Sequence, residues 1–562
     1  MESHYPPNRI YKFEFETDTP EDIRVVVGID FGTTYSSFAY AHVQTCEVII
    51  NDDWPGRKGP LKTNTVLQYD ADFKEVIAWG SQALVGEPQR RRKKAAPDPP
   101  KPIELFKLHF GNAPEEQKTN LPPNCPAEKA ITDYLREMEE VERHWPGIDF
   151  FSHVRLVFTV PAEFTESTKT IMRQCIYDAG LIKSSGTQHL KFTTEPEAAA
   201  LYCVKALKEQ YMITEVSYLI VDCGGGTVDL TVRILLSDDQ IGEATERSGD
   251  FCGSTYVDKE FLKYLESKVG EDAMKMLRDK HYGQLHYMIH QFCERVKIPF
   301  TGEYSEFKTY ELDIEKNCPA LKEYVSGQAK EELDEEEWII ELDFSTVKRF
   351  FDPIVDQILR LIEVQLDKSI YCSVMFVVGG FSESKYLQKR IKQKFQSCIV
   401  IIPPHPMAAI VRGAVEYGLN EDAIKTRVLK WTYGVEVSLN FQPGDPPSRK
   451  TLSGRIKKFY LMAKRGLEVE VNQKFSINVF PVKPHQKDAI IKFFYTTKFT
   501  ASYCDEPEMR LLGEFKVELP DSDSGLAKPI LVELCFGSME IIAEAKNESD
   551  GKIYRNTFKL EF

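Results

Sequence analysis

Apolar positions along the chain follow two regimes that change near Thr426. Before it, short β-branched runs bounded by glycine, such as Val25-Val-Val-Gly-Ile29 and Tyr218-Leu-Ile-Val221, predict buried strands. Strand, turn and helix signals then alternate from about Val216 to Asn420, the order expected of α/β architecture. After Thr426 the period becomes two. Leu467, Val469 and Val471 alternate with Glu468 and Glu470, Phe475, Ile477 and Val479 with Ser476 and Asn478, and Phe515, Val517 and Leu519 do likewise. These predict strands of a β-sandwich with one buried face. The resulting division is a flexible tail over 1–22, a first lobe over 23–215, a second lobe over 216–420, a linker over 421–432 and a β-sandwich over 433–562.

Two of the strands lead into the same chemical pattern. Gly28-Ile-Asp-Phe-Gly-Thr-Thr-Tyr-Ser-Ser37 and Leu219-Ile-Val-Asp-Cys-Gly-Gly-Gly-Thr-Val-Asp229 each carry an apolar strand, an Asp and a turn of glycine and threonine. Gly32 and Gly224, Gly225 and Gly226 lack a Cβ, so their N–H groups can approach phosphate oxygens closely. Thr33, Thr34 and Thr227 add hydroxyl donors. Asp30 and Asp222 would repel phosphate, so a divalent cation with ordered waters is expected between them. One such turn is more often a plain hairpin. Two in register, each with its own Asp, point to a Mg-nucleotide clamped between two related lobes.

Composition narrows the class. At 562 residues, with 42% apolar and 28% charged residues, the chain reads as a globular protein of about three to four domains. A formal charge of −15 argues against nucleic-acid and anionic-membrane partners. No apolar stretch is long enough for a membrane span and no signal core opens the chain, so a cytoplasmic location and no membrane insertion are expected. Twelve cysteines without a C-x-x-C pair fit a reducing compartment and give no zinc site. The basic run Gln89-Arg-Arg-Arg-Lys-Lys94 beside the prolines of Pro97 to Pro102 reads as a solvated loop. The acidic run Lys330 to Glu337 reads as an exposed loop or helix end, with packed structure resuming at Trp338.

From about Val25 to Leu419 the chain resembles the heat shock protein 70 family, within the actin, hexokinase and chaperone ATPase superfamily. The motifs that carry the resemblance are, in order, GIDFGTTYSS from Gly28, VFTVPAEFTESTKTIMRQCIYDAGL from Val157, TTEPEAAALYCV from Thr193, VDCGGGTVDL from Val221, CERVK from Cys293 and VMFVVGGFSES from Val374. A weaker resemblance ties Pro529 to Ala545 to the end of the family's β-sandwich substrate domain. GGFSES in place of GGSTR, and the absence of a long amphipathic helix before Phe562, look like a divergent, lid-less branch. Lys425 to Tyr433 stand where the family has an acidic-leucine linker. The implied fold is α/β: a two-lobed actin-like (ribonuclease H-like) ATPase domain followed by a C-terminal β-sandwich without a helical lid.

The resemblance also implies roles. Asp30 and Asp222 would orient hydrated Mg2+, Glu195 would place the metal-bound or attacking water, and Thr227 would bond the γ-phosphate of ATP. Lys107 is the cation expected near that phosphate; a lysine snorkelling past aromatic residues is the alternative. Tyr35 and Gly253 join the phosphate turns. Glu294, Lys297 and Thr301 would meet the adenosine, with Glu294 and Lys297 on one helix face if the helix persists before Pro299; a surface ion pair is the alternative. Gly379, Gly380 and Phe381 would complete the purine pocket. Pro161 and Lys169 stand where the family couples nucleotide state to its β domain, with lysine in place of arginine's planar fork. The implied activity is slow Mg-dependent ATP hydrolysis to ADP, coupled to an unfolded or extended polypeptide and to co-chaperones. The alternatives are a nucleotide-sensing scaffold with little turnover and a small-metabolite kinase using the same clamp.

Overall fold

The computed structural model describes residues 22–84, 100–110, 118–142, 147–161, 164, 166–211, 217–236, 240–368, 372–482, 486–519, 529–536, 541–548 and 550–557. Residues 1–21 of the predicted tail, the basic run to Lys94, Pro97, Pro99 and the end of the chain at Phe562 lie outside them.

Two sheets of the same topology form the body of the α/β region. In the first, β1 (Val25–Phe31) is antiparallel to β2 (Tyr35–His42) and parallel to β3 (Val154–Val160), which is parallel to β4 (Leu190–Thr194). In the second, β5 (Ser217–Cys223) is antiparallel to β6 (Val228–Leu235) and parallel to β7 (Val374–Val378), which is parallel to β8 (Ile399–Ile401). Even the hairpin registers agree: Asp30 faces Ser37 and Asp222 faces Asp229.

Strand alternation distributes these residues between cores. Val25, Val27, Ile29 and Phe31 of β1 enter the core of the first half, while Val26 turns to a core shared by both halves. Leu219, Val221 and Cys223 of β5 enter the second half's core, while Tyr218 and Ile220 join the shared one. Asp30 has the parity of Val26, and Asp222 that of Tyr218 and Ile220. Both carboxylates therefore stand on the faces that the sheets turn toward one another.

The shared core also holds α1 (Glu195–Tyr211) and α3 (Ala409–Leu419), with α2 (Thr255–Val269) in the second half. Helices α1 and α3 cross where a Cβ on Gly413 would lie 1.6 Å from Ala198 O, so only glycine admits this approach. The crossing fixes the N-terminus of α1, and with it Glu195. Farther along, the acidic run forms the helix Gln328–Glu335, after which Trp338 is buried at once.

Beyond Thr426 the strands are β9 (Thr426–Val428), β10 (Thr432–Asn440), β11 (Arg455–Ala463), β12 (Glu468–Glu470), β13 (Gln473–Val479), β14 (Asp488–Thr496), β15 (Arg510–Glu518), β16 (Ile530–Phe536), β17 (Ile542–Asn547) and β18 (Ile553–Thr557). Two four-stranded antiparallel sheets, β11-β10-β14-β15 and β13-β16-β17-β18, enclose one apolar core that includes Val435, Phe493, Val532 and Ala543. The strand expected around Val469 does form. It joins neither large sheet and pairs instead with β9 of the linker, Arg427 opposite Val469. Residues 426–428 of the predicted linker are thus a paired strand, and the segment is tied also to the second half through Lys425 N to Ile241 O at 2.9 Å.

Candidate functional site

The two Asp-bearing hairpins meet. A Cβ on Gly225 would lie 2.2 Å from Thr34 Oγ1, and one on Gly226 3.5 Å from Thr33 Cγ2. The first turn is pinned from beside, since Thr65 N donates to Thr34 O and Thr65 Oγ1 donates to Gly32 O, both at 2.9 Å. The second is held by α2 and the residues before it. Gly253 N donates to Gly226 O (3.2 Å), Ser254 N to Gly224 O (3.1 Å) and Thr255 N to Gly225 O (2.9 Å). A trans peptide holds its N–H opposite its C=O. With these three carbonyls engaged by the start of α2, the amides of Gly225, Gly226 and Thr227 point away from that helix, as a phosphate cradle requires.

Gly253 is the closest part of this joint. A Cβ there would lie 2.3 Å from Gly225 O and 2.7 Å from Gly224 O, backbone atoms that cannot rotate aside. Gly253→Ala is therefore expected to cost about 1–3 kcal/mol, read as a lower urea midpoint in equilibrium unfolding.

Charged side chains converge behind the turns. Lys107 Nζ donates to Phe31 O at 2.5 Å and to Glu195 Oε1 at 2.8 Å, with both side chains buried. Its position excludes the snorkelling alternative. Thr159 Oγ1 lies 3.3 Å from Asp30 Oδ1, and Lys62 Nζ donates to Asp30 Oδ2 at 2.6 Å. Burial pushes the Asp222 carboxyl well above the usual range, and the negative charges of Glu195, Asp229 and Asp30 push it the same way. Asp222 Oδ1 is buried without a hydrogen-bond partner.

This arrangement fits a hydrated cation. An orphaned carboxylate oxygen among neighbouring carboxylates is the environment a divalent ion relieves. Among the described residues no three His, Cys, Asp or Glu side chains form a group that could hold a metal. Asp30, Asp222 and Glu195 are the residues that would hold a hydrated Mg2+ here.

On the adenosine side the structure departs from expectation. Cys293–Lys297 form a π-helical turn, with Ile298 N donating to Cys293 O at 2.9 Å. The wider turn separates Glu294 from Lys297. Glu294, exposed, lies 3.3 Å from His290 Nε2, whereas Lys297 turns inward to Asp258 (2.7 and 2.9 Å) and Ser254 O (2.7 Å). The two do not share a face or pair with each other. Thr301 Oγ1 accepts Glu303 N within its own turn (3.3 Å). Tyr35, half exposed, stands within the fields of Cys293, Lys297 and Asp258, so the first hairpin reaches this region. Gly379, at φ +84°, packs against Asp222, its added Cβ falling 2.4 Å from Oδ1, while Gly380 faces open space. Phe381 does not line that space. Its ring is buried in the second half's core, 6.5 Å from Phe351, because Gly379 turns the chain so that the next apolar side chain packs inward.

A second charged cluster lies two residues from Glu195. Glu197 is fully buried and receives Arg427 Nε (2.9 Å) and Arg247 Nη2 (2.7 Å), with Arg233 at 3.7 Å. Glu243 receives Arg247 Nε (2.6 Å) and the β9 amide of Val428 (2.9 Å). Arg465 clasps Glu246 with two bonds, 2.8 and 2.7 Å. Pro161 follows β3, and Lys169 is buried on the helix Glu166–Asp178.

Sequence reasoning missed Lys62, Asp229, Asp258 and the Glu197 cluster. Asp229 carried a signal: it ends the quoted second motif and falls opposite Asp222 in any tight hairpin there. Lys62 carried none, since nothing in its local sequence announces a partner across the sheet.

A family model for the Hsp70 protein matches residues 151–453, more than half of the 562-residue chain. The chain belongs to the heat shock protein 70 family. Membership implies the actin-like ATPase fold, in agreement with the duplicated sheets. The chain is similar to heat shock 70 kDa protein 12A of Mus musculus, 26% identical over 94% of this chain and 90% of that one. It is similar to heat shock 70 kDa protein 12B of Homo sapiens, 24% identical over 98% and 93%. Similarity extends to chaperone protein DnaK of Thermotoga neapolitana, 24% identical over 79% and 69%. This Hsp70-family chain is a divergent one, and no helix among its described residues is long and apolar enough to cross a membrane.

Proposed function

We propose that this protein binds ATP and ADP with Mg2+ between its two halves, hydrolyses ATP slowly, and couples nucleotide state to a polypeptide held by the C-terminal pair of sheets. The observation that carries the reading is the meeting of the hairpins: Thr33 and Thr34 against Gly225 and Gly226, with the unpartnered Asp222 oxygen beside them. Phosphoryl transfer needs positioned charge more than covalent help. Bound Mg2+ would supply charge neutralisation at the phosphates. The amides of Gly225, Gly226 and Thr227 bind phosphate oxygens, and Thr33 and Thr34 close on them from the other half. Lys107 holds Glu195 in one orientation, and Glu195 orients the attacking water. The C-terminal sheets act as a β-sandwich for an extended chain, and the protein works in the cytoplasm.

Calorimetric titration of ATP with single-turnover hydrolysis tests the reading. Glu195→Gln is expected to keep ATP affinity within about threefold while slowing hydrolysis by about 10²-fold or more. ATP binding absent from the wild type overturns the proposal. A nucleotide-sensing scaffold is the second reading, favoured by the Arg427–Glu197 contact that fastens the linker to α1 and the Arg465–Glu246 contact that fastens the β11–β12 region to the second half. Unchanged ATP after prolonged incubation, with partner binding retained, selects it.

A further inference from the structure

The cleft contains a cation that neither the motifs nor the family resemblance assigns. Thr63–Asn64 pairs with the start of β2, Thr63 opposite Ser36, and Ser37 faces Asp30 across β2 and β1. Lys62, one residue earlier, continues that line toward Asp30 from the far side of β2. Its ammonium lies 2.6 Å from Asp30 Oδ2, the two side chains being 15% and 3% exposed. Asp30 is its hydrogen-bond partner among the described residues, and its charge also acts on Asp222 and Glu383.

The charge balance gives Lys62 its meaning. Asp30, Glu195, Asp222 and Asp229 are buried carboxylates of one cleft, and among the described residues Lys107 pairs with Glu195 and Lys62 with Asp30. Lys107 is held at two points, by Phe31 O and Glu195. Lys62 is held by one carboxylate, on a flexible stem whose ammonium binds phosphate readily as a point charge.

Resting on the nucleotide-binding reading above, we propose that Lys62 is an affinity-determining residue of the site: a built-in cation that shares with the divalent ion the neutralisation of Asp30 and of the incoming phosphate oxygens. Two cations acting on the same oxygens are partly redundant. Removing either alone costs less than removing both, and a thermodynamic cycle over Lys62 and Mg2+ measures that redundancy.

The test is calorimetric titration of ADP into the full chain, as wild type, Lys62→Met and Lys62→Arg, each in Mg2+ and in EDTA. Lys62→Met is expected to weaken ADP binding at least about tenfold more in EDTA than in Mg2+. Lys62→Arg, which keeps the charge, is expected to stay within about threefold of wild type in both buffers. Equal losses in the two buffers, or no loss in either, overturn the role of Lys62 while leaving nucleotide binding intact. A wild type that binds no ADP in either buffer overturns the underlying reading and this inference with it.

Discussion

Replacing Glu197 by Ala is expected to destabilise the protein by about 3–5 kcal/mol, the range for stripping one partner from a buried ion pair. Glu197 is the carboxylate on which three guanidinium groups converge, and Arg233 among them is fully buried, with no hydrogen-bond partner for Nε, Nη1 or Nη2. Without Glu197, Glu243 alone would face these positive charges. Arg427→Leu is expected to cost less, because Arg247 keeps both carboxylates. Urea titration orders the two variants, and limited proteolysis between Glu421 and Trp431 reports whether β9 leaves its place. A pH series supplies an independent check. Burial by itself would raise the Glu197 pKa, but Arg427, Arg247 and Arg233 outweigh it and hold the carboxyl well below the usual range. An acid depressed on folding contributes stability that is present above its unfolded pKa of about 4.3 and is lost as pH falls through the folded value. Wild type and Glu197→Gln are therefore expected to differ at neutral pH and to converge in acid.

The same cluster explains what was legible in the sequence and what was not. Short-range patterns were readable: the apolar runs became β1 and β5, the glycine and threonine turns became hairpins of one register, and the period-two runs around Ile477 and Val517 became strands of the two C-terminal sheets, while the run around Val469 became a strand paired with β9 instead. Each rests on neighbours within a few residues. Glu195 and Glu197 show where such reading stops. Two residues apart in the first turn of α1, they emerge about 200° apart around the helix. One meets Lys107 in the cleft and the other meets Arg427 of the linker. Their partners lie 88 and 230 positions away, and no local pattern encodes a contact of that span. The π turn at Cys293 and the inward rotation of Phe381 fall in the same class, since both depend on what packs behind them. Parity, by contrast, was available in the sequence: Asp30 and Asp222 share the alternation of Val26 and Ile220, which is why both face the opposite half.

Asp222→Asn is expected to raise the stability of the nucleotide-free protein while lowering single-turnover ATP hydrolysis by about 10²–10³-fold, the scale of losing one preorganised electrostatic group. The stability gain follows from removing an ionisable carboxyl whose charged form is disfavoured by burial and by the neighbouring carboxylates. Burial and the charges of Glu195, Asp229 and Asp30 favour the protonated form of Asp222 in the free protein. An acid raised on folding contributes stability that is full below its unfolded pKa, about 3.9, and is lost as pH rises through the folded value. Asparagine cannot ionise, so the advantage of the variant grows with pH across that interval. A cation favours the ionised carboxylate, so under the proposed function binding of Mg-nucleotide to the wild type is expected to release a proton from this site and to tighten as pH rises. Calorimetric titration in buffers of different ionisation enthalpy measures that proton, and the Asn variant is expected to release correspondingly less. If the variant proves less stable than wild type at pH 8, Asp222 is held by compensating partners, and a cleft poised to receive positive charge is the wrong picture of this site.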